Sequence, residues 1–475
     1  MSNKSVSFKK AVLLNASSKY ITVVLQLVYT AILSRILTPA EYGTVAIINV
    51  FIVFFHLFTD MGLGAGVIQN KNLTNNEIND IFSYTIYMGF GLLILFSIFS
   101  IPLSAIYQNK IYIPLGIELA FSLMFNAFNL IPNAVLLKEK KFFSIAIRTI
   151  FVSLVSFSLT ICFAIKGFGV YALAANSVVM ALGMFIWNEC STKLRFKIKP
   201  NSASIKKIWG YSMFQFGSQT LNYFNRNLDN LLIGRFFSAA DLGQYNKAYT
   251  LMQYPISYLP GVITPVLHPI LSEHQSDKKY IYTTYMKLVK ILSLVGCFCA
   301  AFSHFAGREI ILIAFGSQWM DAIFPFKILG LSIWAQILTH TIAPIYQSLG
   351  NTKLMFRSTI LTTLLLVSSI LLGFFGGSIN TVSIAISVGY ILNFFITFII
   401  MIKYCFSYKL LDFLKNFVPE VFIFAMLFFV DVFWSLKFET IFLSFIVKLV
   451  VYLLVYGFLL FITKQHKVFL YLIKK

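Results

Sequence analysis

Apolar runs long enough to cross a bilayer recur along this chain from Ala11 to Leu472, and they leave few folds open. A helix crosses the hydrocarbon core with about 20 residues. Segmentation on that length gives fourteen spans, roughly 13–35, 43–68, 80–106, 112–136, 143–165, 168–189, 209–234, 242–271, 280–304, 322–348, 354–375, 379–402, 416–435 and 440–462. Barrel strands would be about ten residues of alternating polarity, whereas these runs are longer and apolar all round, so the spans are predicted to be helices. Charged residues make up only 12% of the chain, against about 25% in a soluble domain. The predicted fold class is therefore an all-α integral membrane protein.

The formal net charge of +21 raises nucleic acid as a partner, and the distribution of the charge excludes it. On the fourteen-span map most lysines and arginines fall on the side shared by both termini, among them Lys9, Lys10, Lys138, Lys140, Lys141 and the run from Lys193 to Lys207. Arg35, Lys110, Lys166, Arg235, Arg308 and Lys437 fall on the other. That asymmetry is the positive-inside pattern, so both termini are expected in the cytoplasm, with the chain in the plasma (inner) membrane. The opening "MSNKSVSFKK" is basic, but no A-x-A cleavage site follows it and no cleaved signal is expected. Trp187, Trp209, Trp319 and Trp434 sit at predicted helix ends, as interfacial aromatics do. The five cysteines lie in or beside apolar spans without a CxxC pair, which reads as packing and gives no metal site.

Sliding the chain by 200 residues reveals an internal repeat. "SRILTPAEYGT" from Ser34 returns as "GRFFSAADLGQ" from Gly234, matching Arg35 to Arg235, Glu41 to Asp241 and Gly43 to Gly243. Upstream, "SVSFKK" at Ser5 resembles "SASIKK" at Ser202. Six spans per half start both halves on one side, so the repeat is parallel about the membrane normal. The expected organisation is an N-terminal lobe (1–190), a basic cytoplasmic linker (191–208), a C-terminal lobe (209–403), and two extra helices with a cytoplasmic tail (404–475).

The repeat places spans one and seven in register. Span seven carries Gln215, Gln219, Asn222, Arg226 and Asp229 on one helical face, and span one carries Asn15, Lys19, Thr22 and Gln26 at the matching positions, ending on Tyr29. An arginine near a helix centre costs about 2.5–3.5 kcal/mol on insertion scales, so Arg226 must avoid lipid. Interhelical hydrogen-bond glue is one reading of the two stripes. The other is that they face each other across a hydrated cavity, as in transporters built from repeats.

Five motifs in order carry a family resemblance: "SRILTPAEYGTVAI", "TDMGLGAGVIQ" from Thr59, "IPNAVLLKEKKF" from Ile131, "NRNLDNLLIGRFFSAADLGQYNKAY" from Asn225 and "SLGNTKL" from Ser348. Together they resemble the polysaccharide transport family, the Wzx-type flippases of the superfamily that also holds multidrug and lipid-linked oligosaccharide exporters. The resemblance implies a MATE-like architecture of two six-helix lobes plus two helices. It also implies an undecaprenyl-pyrophosphate-linked oligosaccharide as substrate, moved from the cytoplasmic to the outer leaflet for O-antigen, capsule or exopolysaccharide. Polysaccharide polymerases and chain-length regulators are the implied protein partners. Lys19 and Arg226 suit a pyrophosphate, and the amides suit sugar hydroxyls because each both donates and accepts. In the same picture the last two helices guide the isoprenoid tail.

No GxxxxGK followed by Ser or Thr occurs, and "GLGAG" at Gly62 lies in a span, where close helix packing explains it. No cofactor is expected, and a proton or sodium gradient is the candidate driver. The candidate coupling groups are His56 and Asp60, at i and i+4, and Glu118. Lys247, Lys327 and Lys448 read as snorkelling or paired structural charges. The longest external loop, Phe305 to Asp321, holds no paired carboxylates, which argues against a membrane enzyme. A drug or small-solute exporter of the same superfamily and a scaffold for polysaccharide assembly are the other readings.

Overall fold

The computed structural model describes residues 8–60, 63–70, 72–205, 223, 227–272, 277–436 and 438–468. The described residues are mostly helical, and the chain divides into two compact units, Met1–Gly243 and Gln244–Lys475. The helices of the first unit are α1 (Phe8–Ile36), α2 (Pro39–Asp60), α3 (Leu63–Gln69), α4 (Asn75–Ile106), α5 (Tyr112–Lys138), α6 (Phe142–Ile165) and α7 (Val170–Thr192), followed by helical residues 227–236. Helix α5 is the hub, packing against α4, α7, α2 and α3, while α6 bridges α1 and α7. Small residues permit the close approaches: a Cβ at Gly89 would meet Phe128 at 2.7 Å, and one at Gly116 would meet Ser100 at 2.5 Å.

The segment expected as one span over 43–68 is two helices, α2 ending at Asp60 and α3 starting at Leu63. Helix α3 tucks Leu63 and Val67 into a core with Ile81, Ile131 and Ala134, and Gly64 sits against Leu130. Helix α4 starts on a capping box, in which Thr74 Oγ1 accepts from the Glu77 N–H and the Glu77 carboxylate accepts from the Thr74 N–H.

The linker after α7 runs as a strap along the start of α4. Lys193 takes a left-handed conformation as the helix ends. The Arg195 and Lys197 N–H groups then donate to Asn79 Oδ1 (3.0 Å) and Ser83 Oγ (2.8 Å). Buried Asp80 binds Lys197 Nζ at 2.8 Å with one oxygen and Ser204 Oγ at 3.0 Å with the other. The linker therefore packs within the first unit, and the division between units falls later, beyond helical residues 227–236. Sequence polarity marked the segment as a boundary, but its backbone hydrogen bonds tie it to α4.

The helix that contains the division is α8 (Ala239–Ser272). It is followed by α9 (Lys278–Phe305), α10 (Gly307–Phe315), α11 (Ile323–Gly330), α12 (Ile333–Thr339), α13 (Ile342–Ser348), α14 (Thr352–Phe374), α15 (Ile379–Ile400), α16 (Leu410–Lys415), α17 (Val418–Val432) and α18 (Ile441–Ile462). Helix α9 is the hub of the second unit, touching α11, α12, α17 and α18.

The expected span 322–348 is broken into α11, α12 and α13, with a 53° bend. At the two breaks the hydroxyls of Ser332 and Thr341 donate to the carbonyls of Leu329 and Leu338, each at 2.7 Å, and so compete with the helical ladder. The expected external loop 305–321 is largely helical: α10 fills Gly307–Phe315 and a 3₁₀ turn follows over Ser317–Ala322. Trp319, expected at the interface, is fully buried there against Phe315, because this segment folds back into the unit.

Among the described residues nine helices are long and apolar enough to cross a membrane, and the bent pair makes a tenth. The remaining expected spans fall on α1 and α8, whose side chains are described only in part, on 209–234, which lies mostly outside the described residues, and on α17, which has 15 residues. Cys162 and Cys190, expected to be buried, are exposed on the apolar surfaces of α6 and α7.

Candidate functional site

The repeat is built into the first unit as a pair of matching turns. Before α2, the Glu41 carboxylate accepts from the Thr38 N–H (2.7 Å) and hydroxyl (2.9 Å). Before α8, the Asp241 carboxylate accepts from the Ser238 N–H (3.1 Å) and hydroxyl (2.6 Å). The local sequence dictates this, since a hydroxyl residue three positions ahead of a carboxylate closes a capping box. The two turns then meet: a Cβ at Gly43 would overlap the Ala239 carbonyl, and one at Gly243 would overlap the Pro39 carbonyl. Each glycine is required by the other copy's backbone. Arg35 and Arg235 flank the pair and are exposed; Arg35 Nη1 donates to the Ala31 carbonyl at 2.8 Å.

Of the expected cavity residues, Asn15 and Lys19 lie on α1 with side chains outside the described residues, and Gln215, Gln219, Asn222 and Arg226 lie outside them altogether. Thr22 is half-buried, Gln26 is exposed, and Asp229 is buried with its Oδ1 accepting from the Asn230 N–H at 2.8 Å. Tyr29 turns away into the α1–α6 packing and stacks on Phe157 at 4.2 Å. Near Asp229, the Tyr223 hydroxyl donates to the Val50 carbonyl of α2, and Asn227 Nδ2 donates to the Tyr223 carbonyl at 2.9 Å. Span seven is thus joined to α2 at Tyr223.

Among the candidate coupling groups, His56 Nδ1 lies 3.2 Å from the Thr59 hydroxyl, while the Asp60 side chain is outside the described residues. Glu118 is half-buried in α5, and among the described residues nothing hydrogen-bonds to it. Among the described residues no group of His, Cys, Asp or Glu is arranged to hold a metal ion.

Sequence reasoning missed a network at the α5–α6–α7 junction. Buried Arg148 Nη1 donates to Asn133 Oδ1 (3.0 Å) and Asn188 Oδ1 (2.6 Å), and Asn188 Nδ2 donates to Asn129 Oδ1 (2.7 Å). The signal available was a lone arginine in an apolar run, which has to find polar company.

It also missed what holds the last two helices. Lys290 of α9 binds Glu420 of α17 at 2.8 Å, His304 Nδ1 of α9 lies 2.6 Å from Asp431 Oδ2 of α17, and Lys448 of α18 binds Glu309 of α10 at 2.9 Å. Lys448 is thereby the paired structural charge expected, and Lys247 lies over the rings of Phe315 and Trp319 at 4.9 and 5.2 Å. Burial pushes the Glu309 carboxyl up, yet the Lys448 ammonium and the Ser444 hydroxyl hold it below its ordinary value. Beside the Lys290–Glu420 pair lies an apolar cavity of about 590 Å³, walled by Trp334, Phe394, Phe395, Phe417, Phe424 and Phe428 with Glu420 at its edge.

The chain matches the family described as polysaccharide biosynthesis protein over residues 32–324, more than half its length. It is 24% identical over 375 residues to the teichuronic acid biosynthesis protein TuaB of Bacillus subtilis (strain 168), covering 78% of each chain. It is 22% identical over 402 residues to the lipopolysaccharide biosynthesis protein WzxC of Escherichia coli (strain K12), covering 82% of this chain and 80% of that one. Among solved structures it is similar to the lipid II flippase MurJ in an inward closed conformation, with a TM-score of 0.73 and 14% identity over 96% of this chain and 100% of that one. An inward-facing multidrug resistance transporter of the MATE family aligns with a TM-score of 0.61 and 15% identity, over 82% and 96%. With the matched family, the all-α multi-pass architecture and the duplicated turns in agreement, the chain belongs to the polysaccharide biosynthesis protein family and has the fold of the MurJ and MATE structures.

Proposed function

We propose that this protein is a flippase that carries undecaprenyl-pyrophosphate-linked oligosaccharide repeat units from the cytoplasmic to the outer leaflet of the inner membrane, by alternating access between its two repeats. The observation that carries the reading is the meeting of the duplicated turns, Gly43 on Ala239 and Gly243 on Pro39. Contact between the duplicated turns at one end fits an alternating device, and if both termini are cytoplasmic, as the charge pattern predicts, that end is the outer one. TuaB and WzxC, by their names, serve teichuronic acid and lipopolysaccharide biosynthesis, which supports a glycan substrate.

The physics requires a carrier. Stripping each hydroxyl or phosphate of water costs on the order of 2–7 kcal/mol without compensating bonds, so a sugar head crosses lipid at a negligible rate alone. In this reading the polar faces of the first helix of each repeat take the head, Lys19 and Arg226 counter the pyrophosphate, and the cavity of about 590 Å³ beside α17 takes part of the isoprenoid. Chemistry on the substrate is not required. Glu118, without a hydrogen-bond partner among the described residues, is the group for a coupling proton.

The test replaces Arg226 and Lys19 with alanine, singly, and measures surface polysaccharide at matched protein abundance. Export should fall in both; unchanged export in both removes the cationic path. Glu118→Gln should lose the gradient-dependent part of transport, and full retention clears Glu118 of that role.

A further inference from the structure

The strap of residues 193–200 lies where α4 enters the membrane. The exposed face of α4 is Tyr87, Phe90, Ile94, Ile98 and Ile101, one helical stripe. From Tyr87 to the end of the helix at Ile106 the rise is about 29 Å at 1.5 Å per residue, close to the ~30 Å of a hydrocarbon core. Everything before Tyr87 on α4 is rich in polar side chains: Asn75, Asn76, Glu77, Asn79, Asp80, Ser83 and Tyr84. Tyr87 therefore stands at the boundary between chain and headgroup. The strap is fastened to that residue, for the Tyr87 hydroxyl donates to the Ile198 carbonyl at 2.7 Å and its ring packs edge-on to Phe196 at 5.6 Å.

What the strap presents outward is unusual for a linker in water. Phe196 is 47% exposed and Ile198 79% exposed, continuing the apolar stripe of α4. Beside them Lys193, Arg195 and Lys199 are exposed, and among the described residues none of the three makes an ion pair. Of the neighbouring carboxylates, Asp80 is consumed by Lys197 and Ser204, which fastens the strap to α4, and Glu189 accepts from the Leu194 N–H of the strap itself.

We propose that this strap is a docking surface for anionic glycerophospholipid headgroups, with Lys193, Arg195 and Lys199 on the phosphates and Phe196 and Ile198 in the acyl boundary. Charge complementarity selects the partner: three unneutralised cations at headgroup depth attract anionic lipid, and the apolar pair fixes the depth. A rigid strap loses little conformational entropy on binding, so the preference survives where a loose basic tail would give only diffuse attraction.

The full chain is purified in detergent with equimolar phosphatidylglycerol and phosphatidylcholine, and the retained lipids are quantified by mass spectrometry. Phosphatidylglycerol should be enriched over the mixing ratio, the enrichment should drop by up to roughly fivefold for each cation removed in K193Q/R195Q/K199Q, and K193R/R195K/K199R should keep it. A second measurement, independent of the folding of the glutamine variant, places tryptophan in the strap as Phe196→Trp. Its added fluorescence, taken against the unsubstituted chain in nanodiscs, should be quenched more by brominated phosphatidylglycerol than by brominated phosphatidylcholine. Retention at the mixing ratio by the unsubstituted chain, full enrichment in the glutamine variant, or equal quenching by both lipids overturns the proposal.

Discussion

Placing one methyl group on the paired turns tests how much of the protein's behaviour depends on their contact. In Gly43→Ala the new Cβ overlaps the Ala239 carbonyl, and in Gly243→Ala it overlaps the Pro39 carbonyl. Alanine has no rotamer by which to escape, and both obstacles are backbone, so the turns must separate. Overpacking of this kind costs about 1–3 kcal/mol, which as a shift between closed and parted turns is about 5- to 150-fold. The two substitutions act on one contact, so the double variant should cost clearly less than the sum of the singles. Gly91→Ala is the control, because its Cβ would meet nothing within 4 Å, and in a helix interior alanine is the better residue. The assay has two readouts: the fraction of folded protein surviving a heat step, followed by gel filtration, and surface polysaccharide at matched abundance. Both should fall for Gly43→Ala and Gly243→Ala and hold for Gly91→Ala. If Gly43→Ala matches Gly91→Ala in both, the meeting of the turns does not matter to the protein and the alternating-access argument loses its support.

Two further outcomes follow from the buried polar groups. Lys290→Met strands the Glu420 carboxylate, which is 2% exposed, and should cost about 3–5 kcal/mol of thermal stability, whereas Lys290→Met with Glu420→Leu should recover most of it; equal losses would show that the pair is idle. Arg148→Met leaves the Asn133 and Asn188 side-chain carbonyls without their donor, at about 1–3 kcal/mol for each acceptor orphaned. Limited proteolysis at the adjacent α5–α6 turn, residues 139–141, should accelerate accordingly, and an unchanged rate would refute the structural role of the network.

The order of spans, the repeat and the turn chemistry were legible in the sequence because each depends on near neighbours. Apolar length sets a membrane helix, and a hydroxyl three residues before a carboxylate sets a cap, so Thr38–Glu41, Thr74–Glu77 and Ser238–Asp241 all form as their local sequence directs. The equivalence of Gly43 and Gly243 was visible too. That the two glycines touch was not, since nothing local to either turn encodes the approach of the other.

Hydrophobicity also misled where it could not register a break. The runs 43–68 and 322–348 read as continuous, but Ser332 and Thr341 spend their hydroxyls on the preceding turn and α11–α13 bend. Trp319 read as an interfacial anchor because the segment around it looked like a loop, and burial reassigned it.

By itself the sequence determined how many apolar lengths there are, where the repeat lies and how its helices start, since these are properties of residues within about two turns of one another. Only the tertiary structure decided which charges are neutralised. Lys290 finds Glu420, Lys448 finds Glu309, and Asp80 finds Lys197 and Ser204 across more than a hundred residues of chain. A buried charge takes whatever partner the packing brings within about 3 Å, and sequence separation carries no information about that distance.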